Sequence, residues 1–239
     1  MGRSDMPKTF VLIHGAWHGG WCWVRVRDRL QALGHRVFTP TLTGVGERQH
    51  LLAPGIDLST HVADVLNVLR FEDLRDVVLC GHSYAGLVIS MVAEDAADRI
   101  GSIVYLDAFY PFDGESMLNL TGQAVRDAIA AGQERGDLGV PARPAAAFHV
   151  NENDRAWVDA LCRPHPIGSM TQGVRLTGAA ERIAKRAYIR ARDYPNPGFD
   201  AAVERLKGKP GWRLSEAACG HDVMVDEPRW LVEKLLELA

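Results

Sequence analysis

Ser83 lies in a pattern that is typical of an activated nucleophile. The stretch VVLCGHSYAGL, residues 77–87, is apolar at both ends and has the small residues Gly81 and Ala85 on either side of the serine. The pattern G-x-S-x-G places a nucleophile in a strained turn between a strand and a helix, where larger side chains would crowd the neighbouring chain. Ala85 departs from that pattern by one methyl group. The sequence therefore predicts a reactive serine rather than an ordinary turn residue.

A serine hydroxyl becomes a good nucleophile only when a base takes its proton. Of the nine histidines, His221 in CGHDVMVDEP is the best candidate. It follows the last predicted strand and precedes the last helix, which places it at the same end of a parallel sheet as Ser83. The other histidines lie in the serine turn, in helices or in irregular segments, and are weaker candidates.

Two aspartates are candidates for the acid that orients the histidine and stabilises its cation. Asp107 ends the predicted strand IVYLD, and a carboxylate at the end of a buried strand is costly unless it is paired. Asp193 lies in RARDYPNPG, a polar, turn-rich stretch where an exposed aspartate needs no partner. This contrast favours Asp107, but spacing alone leaves both residues open.

The glycine-rich segment HGAWHGG, residues 14–20, follows the first predicted strand. Attack on a carbonyl group puts negative charge on its oxygen, which backbone N–H groups must already face. The expected donors are Ala16 in this segment and Tyr84, the residue after the serine. His14 and His18 have a spacing that can hold a metal, but the nearby glycines and the lack of a carboxylate ligand argue against zinc. We expect no metal and no cofactor.

The elements that must position these residues alternate between strand and helix. Apolar runs at KTFVLIHG, RVFTPTL, DVVLC and GSIVYLDAF predict four strands with helical segments between them, and KRAYIRA and GWRLSEA predict two more near the end. This alternation predicts a mostly parallel, doubly wound α/β sheet flanked by helices. The intervening segment has short helical pieces and no clear strand, so we predict a core at 1–108 and 181–239 with a mainly helical cap inserted at 109–180.

Three motifs together resemble the α/β-hydrolase superfamily: FVLIHGAWHGGWCW, VVLCGHSYAGL and CGHDVMVDEP. The nearest branch contains small esterases akin to plant methylesterases and hydroxynitrile lyases. The resemblance implies Ser83 as nucleophile, His221 as base, and oxyanion donors at Ala16 and Tyr84. It also implies that the acid most often follows a later strand, at Asp193, whereas some members place it at Asp107.

The same resemblance favours ester hydrolysis over cyanohydrin cleavage. The lyases have a threonine where this chain has Gly15, and a lysine after the histidine where it has Asp222. We expect a serine hydrolase of carboxylesterase type that cleaves a small, largely apolar ester. A lactonase, amidase or C–C hydrolase would use the same residues, and a non-catalytic receptor for a small ligand is an alternative on the same fold.

Large apolar residues of the predicted cap and of the glycine-rich loop are candidates for the substrate pocket. They are Trp17, Tyr110, Phe148 and Trp157, although packing against the rest of the protein is the expected role of most such residues. Their predominance favours an apolar substrate.

Composition limits the function classes further. The formal net charge of −3 gives no reason to expect nucleic acid or an anionic membrane, and no segment has the length of a membrane span. The four cysteines are widely separated, which is typical of reduced thiols in a cytoplasmic protein, the location we expect. The partner is expected to be a small-molecule ester, and a homodimer is one hypothesis for the assembly.

Overall fold

The structure is a computed structural model that describes residues 6–239. Its strands are, in chain order, β1 (Thr9–Ile13), β2 (Arg36–Phe38), β3 (Val77–His82), β4 (Ile100–Leu106), β5 (Gly139–Val140), β6 (His165–Pro166), β7 (Lys185–Ala191) and β8 (Trp212–Ala217). Its α-helices are α1 (Val24–Ala32), α2 (Leu58–Phe71), α3 (Ala85–Ala96), α4 (Met117–Leu120), α5 (Gln123–Arg135), α6 (Glu152–Leu161), α7 (Ile167–Thr171), α8 (Pro197–Leu206), α9 (Val223–Asp226) and α10 (Pro228–Glu237). None of the helices within residues 6–239 combines the length and the apolar character needed to cross a membrane.

Six strands form one sheet in the order β2-β1-β3-β4-β7-β8, and every neighbouring pair is parallel. The predicted parallel α/β sheet is therefore confirmed. Helix α1 packs against α10, and α2 packs against α3, as expected when helical crossovers cover the two faces of a sheet. All six residues of β3 are buried, which explains why this strand reads as a continuous apolar run.

The chain changes direction across the sheet between β1 and β3. It leaves β1 for β2 on one side and later returns to form β3 on the other side of β1. In open parallel sheets, ligands bind in the crevice at the carboxyl ends of the strands at such a switch point. The loop after β1 holds residues 14–19, and the turn after β3 holds Ser83, so both motifs meet at this crevice.

The segment between β4 and β7 contains α4 to α7 and the small antiparallel sheet of β5 and β6. The sequence showed no clear strand in this segment, and the structure adds this two-stranded sheet to the expected helices. Each of these strands has only two residues, and β6 contains a proline, Pro166. Neither strand is therefore long enough to produce an alternating pattern. The division into a core and a cap at 109–180 stays a prediction.

Candidate active site

The turn that carries Ser83 depends on two glycines for close packing. Ser83 has a φ of 56°, in the left-handed region that non-glycine residues rarely adopt. A Cβ atom at Gly81 would lie 2.8 Å from the carbonyl oxygen of Ala85, and one at Gly86 would lie 2.0 Å from that of Phe109. Ala85 is fully buried and its methyl group is accommodated. The glycine that this turn needs on its helical side is therefore Gly86 rather than residue 85.

We expect Gly86→Ala to destabilise the protein by at least about 1–3 kcal/mol, because a backbone oxygen cannot move aside as a flexible side chain can. The matched control is Ala85→Gly, which removes a methyl group without a clash and costs at most about 1 kcal/mol of helix propensity. Thermal unfolding of both variants measures the difference. A Gly86→Ala variant with the melting temperature of the parent would contradict this account of the turn.

Ser83, His221 and Asp107 form a continuous chain of hydrogen bonds. Nε2 of His221 lies 2.9 Å from the Ser83 hydroxyl oxygen, and Nδ1 lies 2.6 Å from Oδ2 of Asp107. A carboxylate can only accept, so Nδ1 carries the proton and Nε2 is free to receive the proton of Ser83. All three residues are buried, which strengthens these interactions.

The other oxygen of the Asp107 carboxylate is held by strand β7. Oδ1 accepts hydrogen bonds from Nη1 of Arg190 at 2.7 Å and from the Ala191 amide at 3.0 Å. Arg190 is buried and its charge compensates for that of Asp107, which offsets the cost of burying the carboxylate. The sequence contained a signal for this partner, because an arginine inside the apolar strand KRAYIRA needs an acidic neighbour.

Asp193, the alternative acid, does not contact His221. Its carboxylate accepts a hydrogen bond from Nε of Arg192 at 3.0 Å, and its side chain is 51% exposed. The Asp193 amide donates to the carbonyl oxygen of Cys219, so the residue is part of the turn after β7. The hypothesis that Asp193 orients the histidine is therefore wrong in this structure.

Ala16 and Tyr84 lie at the positions expected for oxyanion donors, after β1 and β3. Within residues 6–239, neither backbone N–H has an acceptor among the hydrogen bonds of the turns and loops. Tyr84 directly precedes α3, whose N-terminal dipole favours negative charge at that point. Its phenol oxygen lies 2.9 Å from Nδ1 of the buried His61, which fixes the side chain. Both amides are thus available for a substrate oxygen.

Aromatic rings surround His221. The centroids of Tyr194, Phe199 and Phe148 lie 4.6, 5.2 and 5.9 Å from that of the imidazole, and the first two rings are stacked on it. Trp17 lies 5.8 Å from Phe148, so the structure brings these two predicted pocket residues together near the site. The sequence reasoning missed Tyr194 and Phe199, which carry no motif.

The other two predicted pocket residues lie elsewhere. Tyr110 packs against Tyr105 and Trp212, and its hydroxyl donates to Glu181 at 2.7 Å. It lines a separate cavity of about 220 Å³ that does not include Ser83. Trp157 packs edge-on against Trp21, under the guanidinium of Arg25. Substrate contact by Tyr110 and Trp157 therefore stays a prediction, and the contacts seen here are packing contacts.

His82, His221 and Asp222 bring potential metal ligands within 4.8 Å of one another. Both ring nitrogens of His221 already face Ser83 and Asp107, so a metal ion would have to break those hydrogen bonds. Burial is the main cause that lowers the pKa of His82 well below its ordinary value. The neutral ring donates from Nε2 to the carbonyl oxygen of His221 at 3.0 Å, and thus supports the histidine loop.

Comparison with known proteins identifies the family. Residues 10–234 match the family model described as the alpha/beta hydrolase family. The chain belongs to the α/β hydrolase family. The resemblance read from the three sequence motifs is therefore confirmed.

Relatives within the α/β hydrolase family include named esterases. A carbendazim hydrolyzing esterase of Nocardioides sp. (strain SG-4G) is 42% identical over 96% of this chain and 99% of its own length. Methylesterase 2 of Arabidopsis thaliana is 33% identical over 46% of this chain and 43% of its own length. This member of the α/β hydrolase family is a carboxylic-ester hydrolase.

An extracellular α/β-hydrolase from a Paenibacillus species has a similar solved structure. The two chains superpose with a TM-score of 0.85 over 98% of this chain and 99% of that one, at 24% identity. At that identity the likeness supports the fold alone.

Proposed function

We propose that this hydrolase cleaves small, largely apolar esters through an acyl-enzyme on Ser83. His221 acts as the general base, Asp107 orients it, and Ala16 and Tyr84 supply the oxyanion donors. The observation that carries the proposal is the hydrogen-bonded chain from Ser83 through His221 to Asp107, with distances of 2.9 and 2.6 Å. The same three roles in the same chain order as Ser, Asp and His recur in serine hydrolases of this fold.

The geometry supports a two-step reaction. The Ser83 oxygen attacks the carbonyl carbon while its proton passes to Nε2 of His221, and the resulting oxyanion accepts hydrogen bonds from the two amides. The imidazolium then donates that proton to the departing alkoxide, which leaves as an alcohol and forms the acyl-enzyme. Water attacks the acyl-enzyme by the same route, so the products are a carboxylic acid, an alcohol and free Ser83.

The surroundings of His221 support an apolar substrate. Besides the polar His82 ring, the rings of Tyr194, Phe199 and Phe148 lie beside it, and Trp17 continues this aromatic surface. Transfer of an uncharged ester into such surroundings is favourable, whereas a charged group would lose its hydration on entering them. The methylesterase relative adds support for a small alcohol as the leaving group.

A panel of esters tests this proposal. We expect kcat/KM to be highest for methyl and ethyl esters of uncharged aromatic or short aliphatic acids. Monomethyl succinate, which keeps a free carboxylate, is expected to be at least about tenfold poorer, since about 1.4 kcal/mol of desolvation suffices for that factor. Carbendazim, a lactone and an anilide complete the panel. A preference for the anionic ester, the lactone or the anilide would contradict the proposed substrate class.

Labelling with a fluorophosphonate probe tests the nucleophile independently of the substrate. The probe is expected to add to the peptide that contains Ser83, and mass spectrometry of the digested protein locates it. Absence of both labelling and turnover would favour the receptor alternative.

A further inference from the structure

Two buried histidines hold the two ends of one peptide group in the oxyanion loop. The carbonyl oxygen of Ala16 lies 2.8 Å from Nδ1 of His18. The amide of Trp17, which belongs to the same peptide group, donates to Nδ1 of His165 at 3.3 Å. Trp17 has a φ of 67°, a left-handed conformation that is unusual for a bulky residue. The peptide is thus held in an orientation that the backbone alone does not favour.

His18 must be protonated to make its hydrogen bonds. Nδ1 faces the carbonyl oxygen of Ala16, and Nε2 lies 3.0 Å from Oδ2 of Asp222, so each nitrogen needs a proton to donate. His18 and Asp222 are both buried. Burial alone would lower the pKa of His18, but the carboxylate outweighs that effect and raises it well above the ordinary value. The pKa of Asp222 is correspondingly lowered to about 2.

His165 is in the opposite protonation state. Its Nδ1 faces a backbone N–H and must accept, so the ring proton is on Nε2 and can be donated to the Ser169 oxygen at 3.0 Å. The Ser169 hydroxyl in turn donates to the carbonyl oxygen of Pro166 at 2.8 Å, which fixes this arrangement. Burial lowers the pKa of His165 well below its ordinary value, in agreement with a neutral ring.

These contacts tie together three distant parts of the chain. Asp222 directly follows His221, and His165 belongs to the short strand β6. The Trp17 indole N–H donates to the carbonyl oxygen of Val140 in β5 at 3.0 Å. The oxyanion loop is therefore attached on one side to the loop of the general base, and on the other side to the small antiparallel sheet.

We propose that His18, His165 and Asp222 are positioning residues, which orient the Ala16–Trp17 peptide so that the Ala16 N–H faces the substrate oxyanion. This inference rests on the proposed Ser83 mechanism. The adjoining Ala16 N–H is aligned only while the strained Trp17 conformation is held, and an oxyanion donor acts through its fixed orientation before the reaction begins. Loss of either histidine contact lets the peptide rotate and lowers kcat.

Substitution of His165 and His18 by asparagine or glutamine distinguishes the positioning role from simple packing. An asparagine can place a donor or an acceptor near the position of Nδ1 of a histidine, whereas a glutamine reaches the position of Nε2. His165→Asn can thus keep the hydrogen bond to Trp17, and His165→Gln loses it. The corresponding pair at His18 is made in an Asp222→Asn background, so that no buried charge is left without a partner.

We expect each glutamine variant to lower kcat by about 10- to 100-fold relative to its asparagine counterpart, less than the ~10²–10³-fold cost of deleting a donor. KM should change little, because the oxyanion interaction forms in the transition state. The Ki of a trifluoromethyl ketone, whose adduct with Ser83 carries the oxyanion, should rise in parallel. Melting temperatures of each pair show whether a variant is folded.

Equal kcat values within both pairs, or a change in KM without a change in kcat, would overturn the inference. If His165→Gln does not fold, Ser169→Ala serves instead: it removes the acceptor that fixes the ring proton of His165, together with the hydroxyl's own hydrogen bond to Pro166, and it should lower kcat in the same direction. An unchanged kcat for Ser169→Ala would then count against the role of His165. Ser83→Ala is measured alongside: if it keeps wild-type turnover, the proposed function fails, whereas an inactive Ser83→Ala with equal pairs rejects the positioning role alone.

Discussion

Replacing Ser83 by alanine is expected to lower kcat by about 10⁴- to 10⁶-fold on the best methyl ester of the panel. The variant keeps His221, Asp107 and both oxyanion amides, but it has no oxygen that can form the acyl-enzyme. Any residual rate must then come from water bound beside His221. The fold should be preserved, because alanine removes only one oxygen atom. Alanine is also no bulkier than serine at the left-handed φ of 56° that Ser83 adopts.

Steady-state kinetics measure this loss, and Ser215→Ala is the matched control. Ser215 lies on the edge strand β8, and its hydroxyl makes no hydrogen bond within residues 6–239, so the same chemical change there should leave kcat and KM near their parental values. Fluorophosphonate labelling should disappear in Ser83→Ala and persist in Ser215→Ala. A Ser83→Ala variant with more than about a hundredth of the parental kcat would contradict nucleophilic catalysis by this residue.

The sequence was sufficient to bring the proposed nucleophile, base and oxyanion amides to one end of the sheet, for a topological reason. In a parallel sheet every strand ends at the same edge, so residues directly after β1, β3 and β8 must meet there. Ala16, Ser83, Tyr84 and His221 all follow a strand end within a few residues. Recognising the strands therefore placed these four residues without any knowledge of side-chain geometry.

The choice between Asp107 and Asp193 needed the structure. Both residues follow a strand of the same sheet, and β4 and β7 are neighbours, so topology places both carboxylates near the crevice. Side-chain direction decides between them. Asp107 has a φ of 41° and faces His221, whereas the backbone of Asp193 is bonded to Cys219 and its side chain extends into solvent.

The positioning contacts had even less signal in the sequence. His18 and Asp222 are separated by 204 positions, and Trp17 and His165 by 148. No local pattern records such a pair, because each depends on how loops from distant strands meet. The sequence shows no carboxylate near His14 and His18, but the folded chain places the distant Asp222 carboxylate 3.0 Å from Nε2 of His18.

The arrangement around Asp107 compensates for the burial of this carboxylate. Arg190 bonds to Oδ1 of Asp107 and also to Oδ1 of Asp200 at 2.9 Å, so one buried guanidinium is shared by two acids. Oδ2 is then the oxygen available to His221. A buried carboxylate without such a partner would carry a large desolvation cost.

Asp107→Asn is expected to lower kcat by about 10⁴-fold while the fold is retained. The asparagine oxygen can still accept hydrogen bonds from Arg190 and the Ala191 amide, so its NH₂ group must face Nδ1 of His221. Because that group is a donor, Nδ1 has to accept, and the ring proton moves to Nε2. A histidine in that form cannot take the proton of Ser83, which is why the loss falls on kcat.

Asp193→Asn is the matched control, since it makes the same chemical change on the neighbouring strand. Among the residues that the structure describes, its half-exposed carboxylate bonds only to the adjacent Arg192 side chain, so kcat and KM should stay near those of the parent. Melting temperatures of both variants separate a catalytic loss from unfolding. If Asp193→Asn were the inactive variant and Asp107→Asn remained active, the 2.6 Å contact between Asp107 and His221 would not be the one that the reaction uses.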